Sequence, residues 1–320
     1  MHPRSTPRFN QEADFRRLRD FGQKFSAAFE FIGAHWRGLG RALLYIVLPA
    51  ALLNGILSAV LQKQFLGQGI AAASRSGSLL NGLNAFNAIQ QSPLYWVNIA
   101  ASGIFVMLLV LTVYSYVLNC LHSTPGDGPI AVGQVWAVVK GEFLGSYLAY
   151  FGILIIVVVG FFLFAIPGIY LSVAFSLFYI TKLVEGTGFI DTCRRCLNLV
   201  KGKWWSTFGL LFVMGFMLAI IVGVLGSMVG GLVFVLGRGA GLYQPGASQS
   251  LSLFAVLTTT IGGLLNLFIY PPILLAIAFQ YFNLVERRDG VGLHLMVNQL
   301  GQAPTPVQNA TYRPDDEGEY

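Results

Sequence analysis

Charge is what this sequence has least of. Of its 320 residues 55% are hydrophobic and only 11% are Asp, Glu, Lys or Arg, where a soluble domain carries roughly 25%. A soluble fold of this size with so few charges would show water one continuous apolar patch. The composition therefore calls for lipid as solvent. Cysteine is scarce too: Cys120, Cys193 and Cys196 cannot build a disulfide framework. Cys193-Arg-Arg-Cys196 has CxxC spacing, but no second CxxC or nearby His pair completes a zinc site. The pair is read as two small residues facing headgroups. The four histidines, His2, His35, His122 and His294, stand outside the apolar runs without a partner cluster. H-E-x-x-H, G-x-S-x-G and P-loop strings are missing, which closes the motif routes to hydrolase and nucleotide chemistry. Glu30 with His35, or Glu185 with Asp191, could be assembled by the fold, and both pairs are read as solvated loop charges. No catalytic, cofactor-binding or metal site is assigned, no cofactor is expected, and the chain is not expected to be an enzyme.

What is present is a set of long uncharged blocks. A membrane helix needs about 20 apolar residues, and six blocks qualify: Ala42–Leu61, Tyr95–Leu121, Phe143–Ile166, Gly168–Thr181, Trp204–Leu236 and Leu251–Val285. They lack the period-two alternation of a barrel strand. The expected fold class is all-α, a polytopic transmembrane bundle of six spans (residues 20–285).

The third and fourth blocks run together. Phe143 to Glu185 would make a straight helix of about 64 Å, against a hydrocarbon core of about 30 Å. The chain must turn back, and Pro167-Gly168 supplies the turn chemistry. Charge tests this independently. Six spans put eight Lys and Arg before the first span, one between spans two and three, five between spans four and five and three after span six, leaving Lys63, Arg75 and Arg238 outside. Cytoplasmic loops hold the basic excess, so both termini are placed in the cytoplasm of a bacterial cell membrane. The net charge of +6 is read as basic loops meeting anionic headgroups, not nucleic acid. No cleavable signal peptide is expected, because the first apolar run starts too far in. Blocks five and six exceed one crossing, so they tilt or project, and Pro271-Pro272 should kink the sixth.

A weak pattern recurs at Phe25–Leu44, Val132–Leu148 and Phe189–Phe208: an amphipathic stretch, a glycine-marked bend, an interfacial aromatic, then a span. Gly33, Gly141 and Gly202 mark the bends. This predicts interfacial helices near residues 20–36, 130–140 and 188–201, lying on the cytoplasmic side. Residues 1–19 read as a polar tail, mobile over residues 1–12. Residues 286–301 read as a short surface helix and residues 302–320 as a disordered tail.

Intramembrane ionisable residues, the usual marks of relays and ion pathways, are missing from the block interiors. Asn54, Asn98, Asn119, Asn266 and Gln280 remain, to line a cavity or to join helices by hydrogen bonds of about 1 kcal/mol or less. In block five Gly215, Ala219, Gly223, Ser227 and Gly231 follow at intervals of four. Such a face lets backbones approach closely and is read as a packing seam, inside the bundle or against a second copy; the alternative is the edge of a lipid-accessible groove. The leading functional expectation is a non-enzymatic membrane scaffold or interaction module that associates with itself or other membrane proteins. The alternative is a transporter or permeability factor for a lipid or other apolar solute.

Three stretches carry a family likeness: FEFIGAHWRGLGRALLYIVLP, then FFLFAIPGIYLSVAFSLFYI with CLNLVKGKWWSTFGLL, and YFNLVERRDGVGL. They resemble an uncharacterised bacterial polytopic membrane-protein family, similar to the membrane domain attached to some glycerophosphodiester phosphodiesterases. The resemblance covers most of residues 20–300. It implies a six-helix domain of the bacterial cytoplasmic membrane without a settled activity. No soluble phosphodiesterase domain is read in this sequence, so that activity is not expected here, and no functional residue is carried over.

Overall fold

The computed structural model describes residue 9 and residues 12–73, 87, 90–123, 128–239 and 248–291. Among these the regular structure is helical and no strand occurs. Six helical segments are long and apolar enough to cross a membrane: Phe21–Gln62, Pro93–His122, Val132–Leu163, Ala165–Glu185, Trp204–Leu232 and Gly262–Asp289. This is a multi-pass, all-α membrane fold.

A short helix α1 (Glu12–Phe15) leads into α2 (Phe21–Ala42), which passes through a π-helical turn at Leu43–Val47 into α3 (Leu48–Ala73). The wide turn lies just before Pro49, whose ring a regular helix would press against the Tyr45 carbonyl. Span two is α4 (Pro93–His122), with Pro93 in the first turn, where its missing N–H costs nothing. Spans three and four form the expected hairpin: α5 (Val132–Leu163), then α6 (Ala165–Phe175) and α7 (Phe178–Glu185). The reversal falls on Phe164, extended at φ −160° and ψ 145°, three residues before Pro167. Gly160 and Gly168 let the two arms meet, since a Cβ on Gly160 would stand 3.2 Å from the Gly168 Cα. Helix α8 (Phe189–Val200) precedes α9 (Trp204–Gly239) and α10 (Ser248–Asp289), which runs unbroken through Pro271 and Pro272.

The spans close a ring in chain order. Each packs on its sequence neighbours, and α10 returns to lie along α3. The buried core is concentrated at one end, where Leu275–Val285 of α10 and most of Phe105–Leu121 of α4 are enclosed by α1, α2, α7 and α8. Towards the other end the helices carry exposed apolar side chains, among them Phe162 and Phe164 at the hairpin tip and Ile220, Met228 and Leu232 on α9. Such faces are compatible with contact to a lipid bilayer.

Two of the three expected interfacial helices are not separate elements. Residues 20–36 and 130–140 belong to α2 and α5, so the helices that carry spans one and three begin at Phe21 and Val132, ahead of the apolar blocks that start at Ala42 and Phe143. Gly33 and Gly141 sit inside continuous helical runs with open space around them. Ala27, Ala28, Phe31, Leu39 and Ala42 bury one continuous face across Gly33, and a bend would pull that face off its neighbours. Only the third unit breaks: Gly202, at φ +79°, ends the α8 connection in a conformation that other residues resist. Of the polar tail expected over residues 1–19, residues 1–8, 10 and 11 lie outside the described residues; within the rest Phe9 and Phe15 are 1% and 0% exposed. They pack with Phe31, Phe279 and Phe282. The surface helix expected over residues 286–301 lies mostly outside the described residues, and the tail at residues 302–320 lies wholly outside them; α10 itself continues to Asp289.

Candidate functional site: the basic end and the open face of span five

At the enclosed end, α7, α8 and α10 are joined by one ionic cluster. Arg195 of α8 donates from Nε to both Glu185 carboxylate oxygens at 2.9 and 3.0 Å. It also pairs with Asp289, while the Tyr281 hydroxyl donates to Glu185 Oε1 at 2.9 Å. Burial works against the Arg195 charge, but the hydrogen bonds to Asp289 and Glu185 outweigh it and hold its pKa above the ordinary arginine value. Arg288 adds a bond to the Asn198 carbonyl, and Lys182 pairs with Glu142 across the hairpin. Arg19 is enclosed: its backbone N–H donates to Asn283 Oδ1 at 2.9 Å, its guanidinium to the Phe15 carbonyl at 2.7 Å, and it lies 4.9 Å above the Phe279 ring. Burial, with Arg17 nearby, lowers its pKa to about 10. The cluster has an acceptor for each of these cations, and Glu142, Glu185 and Asp289 are each paired with one of them. Its chemistry is that of a clasp.

The sequence candidates separate into three groups. Cys193 and Cys196 are free thiols on α8, and Cys196 is buried against Thr181. Burial pushes the Cys196 thiol up to about 12 and raises Cys193 as well, opposite to what a reactive thiolate needs. No group of three His, Cys, Asp or Glu side chains among the described residues could hold a metal ion. Asp191 is exposed and Glu185 belongs to the clasp, so that pair is not assembled as a site. His35 meets Tyr116, whose hydroxyl is 3.3 Å from Nδ1.

The polar residues of the spans mostly join helices. Asn98 donates to Ser58 at 2.9 Å and Ser102 to Asn54 at 2.7 Å, both between spans one and two. Gln280 donates to Thr207 at 2.9 Å, between spans six and five. Asn119 turns back to the Ser115 carbonyl in its own helix. Asn266 is half-buried on α10.

The small-residue ladder has a different fate. Gly215, Ala219, Gly223, Ser227 and Gly231 are all exposed on α9. A Cβ on Gly215, Gly223 or Gly231 would meet nothing within 4 Å. Among the described residues no neighbour packs against the glycines of the ladder. Sequence reasoning found the ladder but missed the clasp, whose members are spread over 104 positions between Glu185 and Asp289.

No family model matches the chain, and neither a curated protein nor a solved structure matches it.

Proposed function

We propose that this chain is a non-enzymatic interaction module of a bacterial cytoplasmic membrane, with both termini in the cytoplasm, which pairs with a second copy of itself through α9. The carrying observation is the ladder from Gly215 to Gly231, exposed along α9 with no side chain of the described residues against its glycines. In lipid, helices associate by close packing of small residues, because the apolar surface gains nothing by leaving lipid. Successive rungs four residues apart rotate by about 40° at 3.6 residues per turn. Two copies crossing at about −40° would therefore share only two or three rungs. The orientation rests on the distribution of Lys and Arg, concentrated at the enclosed end. The transporter reading has less support, because Asn54 and Asn98 spend their side chains on contacts between spans one and two and Asn119 on the backbone of its own helix.

The test is cross-linking of the full chain in mild detergent and in liposomes, with wild type set beside Gly223→Ile/Ser227→Ile. Both positions have room in the monomer, so the double variant should fold. A cross-linked dimer in wild type that the variant loses supports the proposal. A folded wild type that stays strictly monomeric overturns it.

A further inference from the structure

Away from α9, on the side where spans one and six meet, a groove of about 630 Å³ opens between α2 with its π turn and α10. Its floor is apolar: Leu39, Leu43 and Leu267 are 3%, 4% and 1% exposed. Leu44 and Phe268 stand exposed at the rim, and Arg37 and Arg41 line the same space. That volume falls within the roughly 300–1,000 Å³ of ligand pockets.

Depth follows from charge. The run Ala42–Gln62 carries no Asp, Glu, Lys, Arg or His and measures about 31 Å as a helix, the thickness of a hydrocarbon core. Arg41 therefore stands at its boundary and Arg37 one turn further out, with exposed Trp36 beside it at the level where indoles settle. The groove runs from that boundary inwards.

Its charges have no carboxylate beside them among the described residues; the Arg37 guanidinium lies over the Trp36 ring, 5.4 Å from its centroid. Arg37 and Arg41 are four residues apart on one helix face, an arrangement that costs a few tenths of a kcal/mol when nothing anionic lies between them. Neither makes an ion pair among the described residues. The Arg41 Nε donates to the Arg37 carbonyl at 3.1 Å, which fixes the guanidinium and leaves its terminal nitrogens to bind. Planar guanidinium forks match phosphate oxygens two at a time. The opposite wall is unusual as well: Pro271 and Pro272 provide no N–H, so the Leu267 and Phe268 carbonyls lack their usual helical donors.

We propose that this groove binds one anionic glycerophospholipid of the surrounding leaflet, its phosphate between Arg37 and Arg41 and an acyl chain along Leu39, Leu43 and Leu267. Two cations at headgroup level select an anionic headgroup over a zwitterionic one. The apolar floor below them selects an occupant with an acyl chain over a free phosphate. A lipid enters sideways from the bilayer, so no aqueous path is required.

The test uses the full chain in nanodiscs of equal phosphatidylglycerol and phosphatidylcholine, released in mild detergent and read by native mass spectrometry. Wild type should retain one phosphatidylglycerol in preference to phosphatidylcholine. Arg37→Gln/Arg41→Gln should lower that retention about tenfold, and Leu44→Trp, which narrows the rim without removing charge, should lower it too. Lys140→Gln, an exposed charge elsewhere, should leave it unchanged. Equal retention of the two lipids by wild type overturns the proposal, as does an equal loss with Lys140→Gln. Displacement of the bound lipid by millimolar glycerol phosphate would also overturn it, because the headgroup alone would then suffice. Should the double Gln variant unfold, Arg37→Lys/Arg41→Lys keeps the charge and loses the forks: intermediate retention supports the phosphate contact, and unchanged retention overturns it.

Discussion

Arg195 and Asp289 stand 94 residues apart in the sequence and share a hydrogen bond at the enclosed end of the ring. With Glu185 on the other side of the same guanidinium, that contact ties α8 to spans four and six. Arg195→Met removes a charge-assisted bridge and leaves two carboxylates facing each other, so unfolding in detergent should become easier by about 1.5–3 kcal/mol. A double-mutant cycle with Asp289→Asn should show coupling above 0.5 kcal/mol, whereas Arg194, exposed on the same helix, should tolerate Arg194→Met. Equal effects at Arg194 and Arg195 would contradict the clasp.

The glycines of span one offer a contrast. A Cβ on Gly38 would overlap the Tyr116 hydroxyl, and Tyr116 is 2% exposed with little room to move. Gly38→Ala should destabilise by about 1–3 kcal/mol. Gly33→Ala meets nothing within 4 Å and gains helix propensity, so thermal denaturation should show it neutral or stabilised by up to about 1 kcal/mol. A destabilised Gly33→Ala would restore the bend.

The N-terminal aromatics should matter to the whole bundle. Phe15 lies in a ring cluster with Phe31, Phe279 and Phe282. Phe15→Ala should cost about 3–5 kcal/mol, and Phe9→Ala a comparable amount, measured by detergent denaturation. An unchanged midpoint in both variants would return residues 1–19 to the status of a loose tail.

Thiol chemistry should separate the CxxC cysteines. Burial pushes the Cys196 thiol up to about 12, so at pH 8 almost none of it is thiolate. Iodoacetamide at pH 8 should leave Cys196 unmodified in the folded protein, alkylate partly buried Cys193 slowly, and modify both in denaturant. A Cys193–Cys196 disulfide formed readily under mild oxidant would contradict this.

These predictions also show where sequence reasoning stops. The hairpin was legible because its evidence is a length: no uncharged run from Phe143 onwards fits one crossing, and the turn fell at Phe164, three residues before the Pro167-Gly168 chosen for it. The ladder on α9 was legible as a spacing, but whether it faces inwards depends on how far the other helices reach. At Gly33 and Gly141 the helix continues unbroken, because a glycine permits a break without causing one. Gly202 bends because the buried face of α8 ends at Val200, before α9 begins at Trp204. Phe9 and Phe15 sit in a polar stretch, and their partners on α10 lie at the far end of the chain, so no local pattern marks them as core. The clasp and the groove are meetings of residues distant in sequence, and only the ring of spans brings them together.

The central claim is that six crossings keep residues 12–20 and α8 on one face of the membrane and the Phe164 tip on the other. It is tested most directly by labelling with a membrane-impermeant maleimide, in a background with Cys120, Cys193 and Cys196 replaced by Ala. Single cysteines Leu18→Cys, Lys201→Cys and Phe164→Cys all occupy exposed positions. The account predicts that Leu18→Cys and Lys201→Cys label from the same side and Phe164→Cys from the opposite one. Labelling of Leu18→Cys and Lys201→Cys from opposite sides would contradict it.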